Sequence, residues 1–493
     1  MLYVQNPDPV TGAHRQTGTA RHDPRLLALV LLAVGVRLLY IGTQPDASHL
    51  GSTDAWGYHR LALNLDLGHG FSLDRQPPYR PDSVRTPLYP LLLLLVRRAL
   101  GPQPRAAALV QALLEGVSTL LTYRLAASLA ALLGAPAGRR AGRTAAILYA
   151  LNPVQVRQAN ELLTETLLSL LLLLCLCLLA RYLRPRGEGR SARLALTLGA
   201  ATALAALCKP NVQYLPMLWM PALLFSRQQH RFRNAALAVL AFLALLSPWI
   251  ARNVLVYRRP FLSTAFQGNV SRISAPATTL TVRGRRTESL SSVIPWSAEW
   301  ESAFGEIVAE AAERYQWDQP WSTMTPRARD RADYQVYRVA RETLFRHPWA
   351  WVASHMQGTL RYLEPQVYRA LYQHWTGTTW PPDVLDDALI HVARAALRGD
   401  GPQVRTIIAQ ERWHKLTPLQ RTTWWGMLAA ILLALILLAR GAWRLSRRPT
   451  LLWATLGTIA YVLLLPGPIA YERFRVPVLG PILALVTLAF ASP

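Results

Sequence analysis

Asp54 lies in a polar stretch that follows an apolar run, within GSTDAWGYHRLALNLDLGHGFSLDRQPPYRPDSVRTPLYP. A suitably tuned Asp or Glu takes a proton from an attacking hydroxyl, so Asp54 is a candidate base at a membrane rim. It opens a helix-like stretch, Ala55–Leu67, which Gly68 and Gly70 can end. Tyr58, Leu61 and Leu65 fall on one face, the pattern of a helix lying along a membrane. Ser52, Thr53 and Asp54 are all good helix caps, so the plain reading of Asp54 is an N-cap; capping uses one carboxylate oxygen, and both readings hold together. His59 and His69 read as interfacial polar residues, with a ligand or base role as the alternative. Glu161 and Glu165 lie about one helical turn apart at the start of a leucine-rich segment. Two carboxylates on one face beside a bilayer point to function; complementing a helix dipole is the equal alternative.

The scaffold that positions these groups is a membrane one. The chain has 493 residues, 52% hydrophobic and only 16% charged, with a mean hydropathy of +0.16. Such figures exclude an ordinary soluble globular protein, a disordered chain and a small disulfide scaffold. Leucine-dominated runs such as Leu162–Leu183 read as membrane-spanning helices. Candidate spans are 25–41, 106–133, 143–156, 162–182, 194–208, 212–226, 234–256, 422–440, 450–465 and 475–491. The first has no cleavage site after it and reads as retained. Cys175, Cys177 and Cys208 all lie in apolar stretches, so neither structural disulfides nor a zinc site is expected. The net charge is +25, and Lys209 and Lys415 are the only lysines among 53 basic residues. Compositional bias toward arginine explains that excess better than nucleic-acid binding.

The most basic short loops, Arg139–Arg143, Arg181–Arg193, Arg227–Arg233 and Arg440–Arg448, belong in the cytoplasm by the positive-inside rule, as does the N-terminus. Thr86–Leu100 cannot then cross, because crossing would turn each later basic loop outward. It reads as a re-entrant or interfacial helix on the outer face. Beside a further short loop at Pro466–Phe474, the outer face carries 42–105, 157–161, 209–211 and 257–421. The last is about as large as a typical domain and has helix-like stretches such as Arg327–Phe345. Its tryptophans (Trp296, Trp300, Trp317, Trp321, Trp375 and Trp380) suit interfacial packing, with sugar stacking as the alternative. The sequon at Asn269 is by itself weak evidence.

Several motifs together carry a family resemblance. Asp54-x-x-x-Tyr58 precedes Gly68-His69-Gly70-Phe71-Ser72 and Arg85-Thr86-Pro87-Leu88-Tyr89-Pro90. Asn152-Pro153 is followed by Glu161-Leu162-Leu163-Thr164-Glu165, then Cys208-Lys209-Pro210. Ser247-Pro248-Trp249-Ile250-Ala251-Arg252-Asn253 and Glu472-Arg473-Phe474-Arg475-Val476-Pro477 complete the series. Each motif is weak alone, and their order is fairly specific. The chain resembles the GT-C membrane glycosyltransferases over roughly 25–490. It is most similar to the protein O-mannosyltransferase-like (glycosyltransferase 39 type) branch, which includes lipid A aminoarabinose transferases; residues 275–420 match little of it. The resemblance implies a sugar donor on a polyprenyl phosphate at the outer leaflet. It also implies inversion at the anomeric carbon, with Asp54 as catalytic base or acceptor-orienting group. Some relatives bind a divalent metal near the first-loop acid. Asp54 has no acid adjacent, so no cofactor is assigned and a divalent metal is not favoured.

Orientation places Arg85, Lys209, Arg252, Arg473 and Arg475 near the outer face, where basic residues should be scarce. A departing lipid phosphate explains them, since cations and forked guanidiniums stabilise its growing charge. Lys209 stands out in an arginine-rich chain, and a compact point charge suits a phosphate. Snorkelling to headgroups is the alternative for any one of them, and snorkelling or packing is the reading of Arg37.

The expected protein is an all-α polytopic membrane protein of GT-C type. It has about ten transmembrane helices, an outer-face juxtamembrane helix region and a largely helical periplasmic region. Residues 1–24 form a cytoplasmic tail and 25–256 the transmembrane module, including the catalytic outer loop 42–105. Residues 257–421 form the periplasmic region and 422–493 the C-terminal transmembrane helices. It would sit in a bacterial inner membrane, both termini cytoplasmic and the active site facing the periplasm or cell exterior. Its partners would be the polyprenyl-phosphate sugar donor, a glycan, lipid or protein acceptor, and membrane lipids, with no nucleic acid. Glu161, Glu165 and Tyr58 are candidate sugar or acceptor contacts. The alternatives are a lipid-pyrophosphate-dependent glycan ligase or polymerase, a lipid-linked sugar flippase or transporter, and a non-catalytic scaffold. A transporter would place its charges mid-bilayer in broken helices.

Overall fold

The computed structural model describes residues 24–134, 138–184, 188–287, 297–360, 417–469 and 472–490, with Gly401, Pro402 and Thr406. In hydrocarbon every backbone polar group must be satisfied within its own segment, so apolar runs become helices. The helices that frame the site are α1 (Pro24–Thr43), α2 (Thr53–Asp66), α3 (Leu88–Leu100), α4 (Pro104–Leu132) and α5 (Gly138–Ala150). Then come α6 (Pro153–Gln158), α7 (Glu165–Tyr182), α8 (Glu188–Cys208), α9 (Leu215–Leu224) and α10 (Arg231–Tyr257). The region after α10 supplies α11 (Ala265–Asn269), α12 (Ala275–Thr287), α13 (Ala298–Arg314), α14 (Pro326–Arg346) and α15 (Pro348–Leu360). Last are α16 (Pro418–Leu445), α17 (Pro449–Leu464), the 3-10 segment Glu472–Val478 and α18 (Leu479–Leu488). The architecture is an all-α polytopic membrane fold.

Every expected span falls on helix, with two divided. Span 143–156 breaks at Asn152-Pro153: proline lacks an N–H to continue the ladder, and the Asn152 side chain accepts from Val154 N and Gln155 N to cap α6. Span 475–491 is divided between the 3-10 segment and α18. Among the described residues, five helices are long and apolar enough to cross a bilayer: Arg25–Thr43, Pro104–Leu132, Glu165–Tyr182, Gly189–Cys208 and Arg231–Tyr257. The other expected spans are shorter, broken or less completely described. The 13 residues of α3 are too few to span.

The core is centred on α7, whose spanning window is 83% buried, against 17% for α1 and 22% for α10. Leu172, Leu176 and Leu179 of α7 pack with Leu125 and Leu129 of α4 and with Leu198 of α8. The outer faces of α1 and α10 expose Leu27, Leu31, Leu39, Leu240 and Leu255, as lipid-facing helices do. Arg37 is packed and not snorkelled: it is fully buried, with Nη2 3.1 Å from Glu115 Oε2 and Nη1 donating to Ala33 O and Ala150 O at 2.9 Å. It thereby joins α1 to α4 and α5.

After α10, Ile307 and Ala311 of α13 pack on Val336 and Ala340 of α14, with Val270 and Ala275. Helix α14 covers the expected stretch 327–345. Trp300 is buried and donates to Arg272 O; Trp317 and Trp321 donate to Gln335 and Asp333. Those three therefore serve packing and local hydrogen bonds. Trp296, Trp375 and Trp380 lie outside the described residues. The sequon residue Asn269 ends α11.

Candidate functional site

Helix α2 begins two residues earlier than the sequence suggests, and a different residue caps it. Ser52 Oγ accepts from Ala55 N at 3.2 Å, which satisfies one of the four unpaired N–H groups of the first turn. Asp54 is thus in the first turn and is not the N-cap, so its carboxylate is available for other partners. At the far end Gly68 (φ 77°) and Gly70 (φ 81°) take left-handed conformations, ending the helix as expected. The inner face sets Ala55 and Ala62 against Tyr89 and Leu93 of α3. Leu61 is buried and Tyr58 half-buried.

The carboxylate of Asp54 meets two arginines. Oδ2 lies 2.8 Å from Arg473 Nη2 and Oδ1 lies 3.5 Å from Arg85 Nη2. Glu165, in the first turn of α7, is 2.9 Å from Lys209 Nζ and 3.8 Å from Arg473 Nε. Arg473 therefore spans both acids. Phe474 lies beneath two of the cations: Lys209 Nζ is 5.1 Å and Arg473 Cζ 4.9 Å from its ring centroid, close enough for cation–π attraction. Five groups from distant stretches meet where α7 begins and α8 ends: Asp54, Arg85, Glu165, Lys209 and Arg473. Two carboxylates face three cations, leaving a positive surplus. Asp54 keeps 46% of its side chain exposed, whereas Glu165 keeps 2%, so a ligand reaches the first and not the second.

Burial pushes the Asp54 carboxyl upward, but the charge and hydrogen bond of Arg473, with Arg85 and Lys209 behind, outweigh it and hold the group below its ordinary value. Asp54 is ionised at neutral pH. Burial raises Glu161 despite Arg157.

Glu161 and Glu165 do not share a helix face. Glu161 stands in the turn before α7, its Oε1 3.4 Å from Arg157. The turn is held by Gln111, which donates to Ala159 O at 3.0 Å and Glu161 O at 2.9 Å and accepts from Tyr89 OH at 2.7 Å. Tyr58 packs edge-on against Tyr89, centroids 5.1 Å apart, and its own ring lies 5.3 Å from Arg85 Cζ.

Arg252 is set apart. Its Nη1 donates to Asp82 O at 3.1 Å and to Asn253 Oδ1 at 2.7 Å. Its guanidinium lies 4.8 to 5.7 Å from the rings of Trp249, Tyr257 and Phe71. Asp82 in turn accepts from Arg85 N at 2.7 Å. Arg252 thus supports the turn that presents Arg85. Arg475 is half-buried on the same 3-10 segment as Arg473.

The reading of the sequence did not single out Asp82, Gln111, Phe474 or Gly57. Asp82 has a local signal, an acid three residues before the arginine whose N–H it accepts; Gln111 has none, because its partners are 48 and 50 residues away. Nor does the setting of Asp54 fit a divalent metal. Its oxygens are held by guanidiniums, and among the described residues no three His, Cys, Asp or Glu side chains gather to hold a cation. Chemically the cluster offers an ionised, accessible carboxylate beside a cationic floor. That arrangement can orient a hydroxyl and hold an anion.

Residues 84–251 match the family model of dolichyl-phosphate-mannose-protein mannosyltransferase. The match contains Arg85, Glu161, Glu165 and Lys209; Asp54, Arg252 and Arg473 fall outside it. Among solved structures, the chain is similar to the archaeal oligosaccharyltransferase AglB from Archaeoglobus fulgidus, in complex with an inhibitory peptide and a dolichol-phosphate. Identity is 13% and the TM-score 0.47, over 94% of this chain and 49% of that one. It is also similar to ArnT from Cupriavidus metallidurans bound to undecaprenyl phosphate, at 14% identity and a TM-score of 0.40, over 95% of this chain and 78% of that one. The chain spans about half the length of the archaeal protein. No curated protein matches it by sequence.

Proposed function

We propose that this chain, whose residues 84–251 match the family model of dolichyl-phosphate-mannose-protein mannosyltransferase, is an inverting glycosyltransferase of GT-C type. It moves one sugar from a polyprenyl-phosphate donor to an acceptor at the outer face of the membrane. The observation that carries this is the meeting of the accessible Asp54 carboxylate with Arg85 and Arg473 at one end of the bundle, with Lys209 joined to the same cluster through Glu165. In this reading the acceptor hydroxyl hydrogen-bonds to Asp54 and its oxygen attacks the anomeric carbon. The bond from that carbon to the phosphate oxygen breaks, and the polyprenyl phosphate leaves with the electron pair. The hydroxyl proton passes to Asp54. Arg85, Lys209 and Arg473 receive the growing phosphate charge. Arg475 is assigned to the same phosphate, and Arg252 acts through the turn that presents Arg85. Phosphate also draws Arg473 and Arg85 away from Asp54, making the carboxylate more basic at the moment it is needed.

The outer-face assignment rests on charge. The site lies where α7 starts, and the arginine-rich loop Arg181–Arg193 follows where that helix ends, a helix length away. The positive-inside rule gives that loop to the cytoplasm. Glu161 and Tyr58, beside the cluster, are assigned to sugar or acceptor contacts; Glu165 holds Lys209 and Arg473 in place.

The test is sugar release by the purified full-length protein given a panel of polyprenyl-phosphate sugars, with Asp54→Asn alongside. A drop of about 10²-fold, the lower end for a lost general base, is expected in a variant that stays folded and still binds undecaprenyl phosphate. Full activity of Asp54→Asn with the right acceptor would leave Asp54 a structural ion-pair partner. Turnover confined to pyrophosphate-linked donors would select the ligase or polymerase instead.

A pH profile gives a second check. Asp54 lies below its ordinary value, so it stays charged as pH falls through the usual carboxylate range. The acid limb of kcat/KM, which reports the free enzyme, should therefore begin below that range. Arg85→Ala removes one of the cations that lower Asp54, so the limb should move to higher pH. An unmoved limb would mean that a different group titrates.

A further inference from the structure

We propose that Gly57 is a positioning residue: the missing side chain in the second turn of α2 makes the seat on which the Arg85 guanidinium lies beside Asp54. The inference rests on the reading of Arg85 as a donor-phosphate ligand and names what holds that ligand in place. A Cβ built on Gly57 would fall 2.4 Å from Arg85 Nη2, 2.6 Å from Cζ and 3.0 Å from Nε. All three atoms belong to the planar head group, so the guanidinium rests directly on the helix backbone. Two further contacts hold it, the Tyr58 ring 5.3 Å from Cζ and Asp54 Oδ1 3.5 Å from Nη2, while Asp82 holds the backbone behind it by accepting from the Arg85 N–H at 2.7 Å.

Backbone conformation gives no reason for a glycine here. Gly57 is helical and has no positive φ, and a glycine inside a helix weakens it relative to alanine. Among other helical glycines, Gly35, Gly42 and Gly305 would place a Cβ in open space, whereas Gly116, Gly142, Gly199 and Gly480 would meet neighbouring helices in the packed bundle. At Gly57 the space is taken, and by a group the proposed reaction uses. The side chain of Arg85 is 16% exposed and, among the described residues, makes one long hydrogen bond, to Asp54. Its other N–H groups are thus held in place for an incoming phosphate oxygen. A methyl group at position 57 cannot coexist with that pose, and the flexible arginine would swing off Asp54.

The experiment is a double-mutant cycle on the full-length protein in nanodiscs, with undecaprenyl phosphate as the titrated probe and donor KM and kcat measured alongside. Gly57→Ala should melt no lower than wild type yet bind the probe about 10-fold more weakly, the scale of one hydrogen bond to a charged group. Donor KM should rise with it. In an Arg85→Ala background the same substitution should have no further effect, because its only consequence is to displace Arg85. Gly57→Ala failing to fold while Gly57→Ala/Arg85→Ala folds would also support the clash. Three results would overturn the inference. One is wild-type binding by Gly57→Ala when Arg85→Ala is impaired. Another is additive losses in the double variant. The third is misfolding of both Gly57 variants. An Arg85→Ala protein with wild-type binding and turnover would instead remove the phosphate role of Arg85, and this inference with it.

Discussion

On the proposed reading, replacing Arg473 with alanine should lower sugar transfer by about 10³-fold, the scale of losing a preorganised donor to the charge that grows on the leaving phosphate. Arg473 contacts Asp54 at 2.8 Å and reaches Glu165 at 3.8 Å, so its loss acts twice. The phosphate loses a forked donor, and two carboxylates lose the cation between them. Glu165 keeps Lys209 at 2.9 Å, whereas Asp54 keeps only the longer contact to Arg85. Asp54 should then lose its fixed orientation, and its carboxyl should rise toward the ordinary value, because the largest of the effects lowering it is gone. Arg473→Lys is expected to fall between, since a point charge replaces a fork. Initial rates under saturating donor, with probe binding measured separately, decide the matter. Arg473→Ala with near wild-type kcat would show that the cation is structural and that Lys209 and Arg85 suffice for the phosphate.

The second large effect is on stability and lies away from the site. Arg37→Met should destabilise the protein by about 3–5 kcal/mol, because it strands Glu115 as an unpaired buried charge. Arg37 has 0% and Glu115 1% of its side chain exposed, so no water relieves the loss. Arg37→Met/Glu115→Leu, which removes both charges, should recover most of it. Thermal unfolding in detergent micelles measures the ordering. The single variant should be the least stable of the three, and a double variant as unstable as the single would mean that the pair does more than satisfy its own charges. Transfer activity need not follow stability here, since Arg37 touches none of the site residues.

The membrane scaffold was legible in the sequence because hydropathy is a local property. A run of leucines needs a helix wherever it lies, so the spans at 25–41, 106–133, 162–182, 194–208 and 234–256 all recur as long apolar helices. The break at Asn152-Pro153 was equally local, a missing N–H followed by a cap. The flanking apolar residues make 143–156 look continuous, while the shortness of that stretch is the local sign of a broken helix. The residue types at the site, an acid in the first loop and cations in loops that should lack them, could also be recognised in advance.

The pairing of these residues could not. Asp54 meets Arg85 across 31 positions and Arg473 across 419, and Lys209 meets Glu165 across 44. Nothing in the spacing distinguishes Arg473, which bridges two acids, from Arg252, which is drawn into an aromatic box behind Asp82. Glu161 and Glu165 look equivalent four residues apart, yet one precedes the helix and pairs locally while the other is buried on Lys209. Asp54 and Ser52 compete for one cap, and the helix start gives it to Ser52. Sequence alone determined that this chain crosses a membrane and carries an acid and several cations at the helix ends. Tertiary structure decided which cation faces which acid, because electrostatic partners are set by distances of a few ångströms. Only the packing of α2, α3, α7, α8 and the 472–478 segment fixes those distances.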